Sequence, residues 1–197
     1  MEFIGKLIIM AISAIFINNF ILAKFLGLCP YLGVSKKLDS AFGMGMAVVF
    51  VMTMSSAFTW IIDHYLLIPN DLSYLQTIAF ILAIAVLVQF VEMIIQKSAP
   101  VLYKSLGVYL PLMSTNCAIL GVAIMNKTDN LSFIESVSQG LFSGLGFIFV
   151  LLLMAGIRER LEKADIPPAM QGMPIALIIA GCMALAFLGF AGLNFGG

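Results

Sequence analysis

The sequence is poor in charge: only 10% of its 197 residues are Asp, Glu, Lys or Arg, whereas 62% are hydrophobic. A soluble domain carries roughly a quarter charged residues, so a water-soluble globular enzyme is excluded. The ten basic residues balance the ten acidic ones, and a nucleic-acid binder would need a basic stripe. High hydrophobicity also excludes a disordered chain. A polytopic membrane protein remains, with almost no mass outside the bilayer.

Cysteine and histidine are scarce as well. The three cysteines lie in apolar sequence and are too few for a disulfide framework. The single histidine is His64, and there is no Cys-x-x-Cys pair. No phosphate loop, nucleotide fingerprint or Ser/His/Asp set is present either. We expect no cleavable signal peptide, because no small-residue cleavage site follows a short apolar core.

Apolar runs long enough to cross a bilayer, about 20 residues each, occur six times. The separators are short and polar, so we predict an all-α integral membrane protein with a single polytopic domain over residues 1–197. Every functional group must then lie in the bilayer, at its edge or on another chain. The six segments are residues 3–34, 40–62, 72–95, 100–126, 132–156 and 173–195.

Basic residues are unevenly distributed between the connections. If six helices alternate in direction, seven of these residues fall on one side and two on the other. The positive-inside rule then predicts cytoplasmic basic loops and two external termini. The seven are Lys36, Lys37, Lys97, Lys104, Arg158, Arg160 and Lys163, and the two are Lys6 and Lys127.

The two halves, approximately 1–98 and 99–197, resemble each other weakly. Gly43-Met44-Gly45 corresponds to Gly144-Leu145-Gly146, and Leu26-Gly27 to Leu120-Gly121. Because each half holds three spans, the second half enters from the opposite side, which predicts an inverted 3+3 repeat with functional sites near the midplane. The alternative is chance, since small residues are common at helix contacts in membranes.

The first span of each half is irregular. Residues 3–34 as one helix would be about 48 Å long at about 1.5 Å per residue, against a hydrocarbon core of about 30 Å. The fourth span contains Pro111, followed by Ser114-Thr115-Asn116-Cys117. Irregular backbone at membrane depth occurs only where protein or a cavity satisfies it. We therefore predict broken first and fourth helices, with two ordinary kinked helices as the alternative.

Two cysteines, Cys29 and Cys117, lie in these predicted breaks. The two segments run antiparallel, so the thiolates could meet near the pseudo-twofold axis. A lone buried cysteine is ordinarily a small hydrophobic residue, and we interpret Cys182 as a packing residue of this kind. Two thiolates are half the usual ligand set of a [2Fe–2S] cluster or a structural zinc. Any such metal would need ligands from a partner chain.

Polar residues within the spans are candidates for an ion path. Glu92 is the only acid well inside an apolar segment, and Gln89 lies on the same helical stripe. An ionisable group in the membrane indicates an ion path or an interior pairing. The alternative is that Glu92 reaches the interface or pairs with Lys97. The other candidates are Asn18, Asn19 and Asn116.

Five stretches carry a family resemblance that covers nearly the whole chain. They are residues 18–20, 24–30, 33–37, 115–118 and 157–161. These stretches closely resemble the A subunits of Rnf complexes, which belong with the E subunits of sodium-pumping NADH:quinone reductases to one membrane protein family. The latter look less similar at the Lys24 and Pro30 positions.

The resemblance implies six membrane helices in an inverted repeat and a partner subunit that is homologous and opposite in topology. It implies one [2Fe–2S] cluster shared by the pair, with Cys29 and Cys117 as this chain's ligands. The complex would exchange electrons between ferredoxin and NAD in a prokaryotic cell membrane and move Na⁺ or H⁺. Flavins, NAD and further iron–sulfur clusters would belong to other subunits, and no nucleic acid would bind.

Two other functions remain open at this point. One is a cofactor-free secondary transporter, in which the broken helices bind an ion or a small solute at the midplane. The other is a purely structural membrane anchor, which leaves the matched breaks and the two cysteines without a purpose.

Overall fold

The computed structural model describes residues 2–35, 38–69, 73–98, 115–165, 167 and 170–192, and the regular elements of this part of the chain are all helices, without a strand. A π-helical turn over Ser13–Ile17 extends the first helix, and another over Asp63–Leu67 extends the third. The helices are α1 (Glu2–Ile12), α2 (Leu28–Val34), α3 (Leu38–Ile62), α4 (Gln76–Ser98), α5 (Cys117–Thr128), α6 (Phe133–Leu161) and α7 (Met173–Leu188).

Three of the described helices are long and apolar enough to cross a membrane. Their mean hydropathies are 1.8 for Leu38–Leu67, 2.4 for Gln76–Ile94 and 2.3 for Phe133–Leu161. Shorter apolar helices cover Ile4–Ile17, Cys117–Thr128 and Met173–Leu188. Each of the six predicted segments thus contains an apolar helix, which agrees with a membrane protein. The inverted repeat stays a prediction.

The first predicted segment is interrupted rather than continuous. Its helix ends at Ile17, and the next begins only at Leu28. An ordinary kinked helix is therefore wrong for this segment. The predicted break at Pro111 lies outside the described residues, as do Lys36, Lys37 and Lys104. The fourth segment is described only from Thr115 onward, and its helix begins at Cys117.

The two central helices, α3 and α6, make the most extensive helix–helix contact among the described elements. Glycines from both Gly-x-Gly motifs lie in this contact. A Cβ on Gly144 would come within 2.9 Å of the Val49 Cα, and a Cβ on Gly45 would overlap the Ile148 side chain. Small residues let membrane helices approach at backbone distance, so these glycines set the closeness of α3 and α6.

The bundle has two ends that polar contacts identify. At one end, which we call the Lys127 end, Lys127 pairs with Asp63, and Lys6 Nζ lies 2.5 Å from Glu135 Oε1. At the other, the Arg158 end, the guanidinium donates to the Ser35 hydroxyl at 2.9 Å. Helix α6 runs from the first end to the second.

Candidate functional site

The interruption between α1 and α2 is organised by Asn19, whose side chain is 1% exposed. Its Nδ2 donates to the carbonyl oxygens of Ile15 (3.0 Å) and Gly146 (2.9 Å). Its Oδ1 accepts a hydrogen bond from the Ile21 backbone N–H at 3.1 Å. A single side chain thus satisfies backbone groups freed by the break and ties the break to α6, as membrane depth requires.

The interruption ends at Gly27, which precedes α2 with a positive φ of 85°. A Cβ at this position would lie 2.7 Å from Phe147 Cε2 and 3.2 Å from Ala118 Cβ. Glycine is therefore required twice, for its left-handed conformation and for the close approach of α5 and α6. The approach leaves the Gly27 N–H facing the beginning of α5.

The Gly27 N–H donates a hydrogen bond to Cys117 Sγ, with 2.9 Å between nitrogen and sulfur. Cys117 is the first residue of α5, and Cys29 lies in the first turn of α2, two residues after Gly27. The structure thus brings the two predicted cysteine segments into direct contact. Both cysteines are exposed on the surface of the chain.

The two cysteine-bearing helices begin near each other and run in opposite directions. The segment α2 ends next to Ser35, which contacts Arg158. Helix α5 ends near Lys127, which pairs with Asp63 at the opposite end of the bundle. Both cysteines therefore lie in the interior of the bundle's length, away from its two polar ends.

Asn116 stands directly before Cys117 and is 4% exposed. Its Oδ1 accepts from the Ala118 N–H at 3.0 Å, which caps α5. Its Nδ2 is buried, and no hydrogen-bond partner is found for it in the described structure. A buried donor without a partner is costly, which makes this amide the one unsatisfied side-chain donor beside the cysteines among the described residues.

Lys24, which also lies in the interruption, is exposed, and its Nζ is 5.7 Å from the centroid of the Phe20 ring. The same Nζ lies 2.8 Å from Met125 Sδ on α5. Its long side chain therefore packs along the break and α5, with the charged end at the surface.

Cys182 lies apart from this site and does not pack inside the chain as we interpreted it. Its side chain is exposed on α7, whose buried face is formed by Ala176, Ala180 and Ala184. Those alanines repeat every four residues on one face, and the 182 position lies about half a turn from it. In a bilayer an apolar outward position of this kind faces lipid or another chain.

The other candidate ion-path residues fall into separate places. Asn18 is exposed and donates to the Ser13 hydroxyl at 3.1 Å. Gln89 is exposed and Glu92 half-buried on α4. Within the described residues no hydrogen bond or ion pair joins Glu92 to Lys97 or to either cysteine. The structure thus places Asn19 in the interruption that leads to Cys29 and Asn116 directly before Cys117, and no hydrogen bond in the described residues joins the α4 pair to them.

Sequence reasoning missed a polar cluster near the Lys127 end, around Asn126. Asn126 is 5% exposed, and its Nδ2 donates at 3.3 Å to both the Ser56 hydroxyl and the Ser136 carbonyl. Asp63 and Lys127 are 64 residues apart in the sequence, and the fold pairs them beside this asparagine. The sequence feature that could have indicated this cluster is Asn126, a polar residue near the end of an apolar segment and next to a lysine.

Comparison with known proteins places the chain among membrane subunits. Residues 7–194 match the family described as Rnf-Nqr subunit, membrane protein. A protein of Acetobacterium woodii, named as the A subunit of a Na(+)-translocating ferredoxin:NAD(+) oxidoreductase complex, is 58% identical over 96% of this chain and 99% of its own length. Two proteins are named as A subunits of ion-translocating oxidoreductase complexes. The one from Azoarcus sp. is 58% identical over 90% of this chain and 92% of its own length, and the one from Syntrophotalea carbinolica is 56% identical over 95% and 97%. The chain belongs to the Rnf-Nqr family of membrane protein subunits.

Proposed function

We propose that the chain is the A-type membrane subunit of an ion-translocating complex that transfers electrons between ferredoxin and NAD and moves Na⁺ or H⁺. The name of the Acetobacterium woodii relative, which is aligned over almost its whole length, supports this assignment. The single observation that carries it is this match, which is 58% identical over 96% of the chain. The 2.9 Å hydrogen bond from Gly27 N–H to Cys117 Sγ, which holds the two cysteine segments together, supports a site at that place.

The site suits a [2Fe–2S] centre that two chains share. Both thiols are exposed on the surface, where a second chain can reach them. Within the described residues no group of three or more His, Cys, Asp or Glu side chains forms a metal site, and such a centre takes four ligands. Cys29 and Cys117 would supply two, and a homologous six-helix subunit of opposite topology would supply the others. The bound centre would carry single electrons at membrane depth.

The residues around the thiols have defined tasks in this proposal. The Gly27 N–H donates to Cys117 Sγ at 2.9 Å and would hold that sulfur in position as a ligand. The Nδ2 of Asn116, the residue directly before Cys117, is buried without a partner in the described structure and would be a further donor for the shared centre. Hydrogen bonds to sulfur tune the reduction potential of such centres, so Asn116 acts as a positioning and tuning residue.

In this proposal the ion path uses Glu92 on α4 rather than the asparagines of the interruption between α1 and α2. All three polar functions of Asn19 are engaged by backbone groups, which gives that side chain a structural task. Glu92 is half-buried in an apolar helix, where a carboxylate is costly to keep without a function. In the cell we place the Arg158 end in the cytoplasm and both termini outside, as the distribution of basic residues predicts.

The cysteine assignment is tested in the purified, reduced complex by electron paramagnetic resonance. The variants are Cys29→Ser, Cys117→Ser and, as the matched control, Cys182→Ser, which replaces an exposed cysteine of α7. We expect the first two to abolish the membrane-embedded [2Fe–2S] signal and electron transfer through the complex. The control should keep both, because serine is similar in size but is a poor ligand for iron.

Two results would overturn the assignment. One is a Cys29→Ser, Cys117→Ser double variant that retains the signal and the activity. The other is an isolated chain that carries a stoichiometric cluster, since it holds only half of the ligands. A native complex that moves ions yet lacks any intramembrane iron–sulfur signal would favour a cofactor-free transporter.

A further inference from the structure

A second polar site lies near the Lys127 end, away from the cysteines. It is a cavity of about 260 Å³ between α3, α5 and the beginning of α6. Thr59, Trp60 and Asp63 line it from α3 and its π-helical extension, Asn126 and Lys127 from α5, and Ser136 from α6. Room for a single water requires only about 10–15 Å³, so the cavity is large enough for an ion with part of its hydration shell.

Two residues that line this cavity each carry a buried oxygen without a hydrogen-bond partner in the described structure. One is Asn126 Oδ1 and the other is the Ser136 hydroxyl, on side chains that are 5% and 0% exposed. The Asn126 Nδ2 is engaged by Ser56 and the Ser136 carbonyl, so the amide oxygen is directed away from those partners. Unsatisfied buried oxygens are costly, which points to a ligand that they bind.

The charges of the cavity define the class of ligand. Asp63 contributes the one carboxylate among its lining residues, and the Lys127 ammonium is paired with it. Oxygen ligands of this kind prefer hard cations. Because the described residues provide no second carboxylate here, the ligand charge is too low for a divalent site and favours a monovalent ion.

We propose that this cavity binds a small monovalent cation of the sodium class through Asn126 Oδ1, the Ser136 hydroxyl and the Asp63 carboxylate. The Lys127 ammonium then competes with the cation for the Asp63 carboxylate, because it pairs with that carboxylate when no cation is bound. The site gives an ion a place to shed water near one polar end of the bundle. That role in transport rests on the proposed function, whereas binding itself does not.

Trp60 provides a local probe for the test. It is the only tryptophan of the chain, lines the cavity and stacks on His64 with ring centroids 4.8 Å apart. The full chain in detergent is titrated with sodium chloride against choline chloride at constant ionic strength and constant pH, and its fluorescence is followed. We expect a saturable change with sodium that choline does not produce.

Three variants make the titration specific. Ser136→Ala removes an oxygen ligand whose hydroxyl has no hydrogen-bond partner, and it should weaken the sodium response about tenfold, as for one lost hydrogen bond or ligand. Ser143→Ala is the matched control, because this buried hydroxyl on α6 is also without a partner but does not line the cavity. It should leave the sodium response unchanged. Lys127→Gln should tighten sodium binding, because the competing ammonium is gone.

The proposal fails if the folded chain shows no sodium-specific change, since water alone then fills the cavity. It also fails if Ser136→Ala and Ser143→Ala behave alike. A folded Lys127→Gln chain that binds sodium more weakly overturns the competitor role. Should that variant not fold, the serine pair still decides whether the site binds a cation. None of these readouts depends on the cysteines, so loss of the cluster assignment leaves the cation site standing, and the reverse holds too.

Discussion

Gly27→Ala should destabilise the protein and disrupt the cysteine site together. At a φ of 85° an L-residue costs about 1–2 kcal/mol. The new Cβ would lie 2.7 Å from Phe147 Cε2, and Phe147 is 1% exposed and cannot swing outward. Overpacking of this kind costs about 1–3 kcal/mol. The free energy of unfolding should therefore fall by about 2–5 kcal/mol.

The assay combines thermal unfolding of the chain in detergent with electron paramagnetic resonance of the complex. Gly156→Ala is the control, because a Cβ on this α6 glycine has no neighbour within 4 Å. That change should stabilise the helix by about 0.5–1 kcal/mol. Gly27→Asn separates the two costs, since asparagine tolerates the left-handed region better than alanine. Equal stabilities for Gly27→Ala and Gly156→Ala would refute the reasoning.

Three further outcomes are expected. Glu92→Gln should lower the number of ions moved per electron more than it lowers assembly, and normal pumping at the native electron-transfer rate would make Glu92 an interfacial residue. Arg158→Gln should lower the free energy of unfolding by about 1.5–3 kcal/mol, because the buried Ser35 hydroxyl and a backbone carbonyl lose a charged donor. Thermal unfolding measures this, and Arg160→Gln, at an exposed position, is the control that should leave stability unchanged. A reporter fused at the C-terminus should read as external and one in residues 158–172 as cytoplasmic, and a cytoplasmic C-terminus would contradict both the span count and the repeat.

The break in the first segment was predictable because its cause is local. An apolar run too long for one span, containing an asparagine pair, a glycine and a proline, cannot continue as one helix across the bilayer. The partner of Asn19 was not predictable, because the Gly146 carbonyl is 127 residues away. Local sequence shows where regular structure ends, whereas tertiary packing decides what satisfies the freed groups.

Helix ends and outward faces show the same limit. We expected the fifth segment to span residues 132–156, but α6 continues to Leu161. Hydropathy finds the part of a helix that lies in the membrane, while the hydrogen-bonded helix itself extends into the polar region through Arg158 and Arg160.

Cys182 was misread for a related reason: α7 is apolar on every side, so periodicity does not distinguish its buried alanines from its exposed positions.

The hydrogen bond to Cys117 Sγ changes how the two cysteine substitutions must be compared. The sulfur accepts from Gly27 N–H, so this side chain also satisfies a backbone group of the break, whereas no such bond is described for Cys29. Serine at position 117 has a shorter reach to the same N–H, and part of its effect would be structural. Loss of the cluster in Cys29→Ser is therefore the cleaner sign of ligation. A Cys117→Ser chain with the same unfolding temperature as the native chain, in a complex that lacks the cluster signal, would separate ligation from folding at that position too.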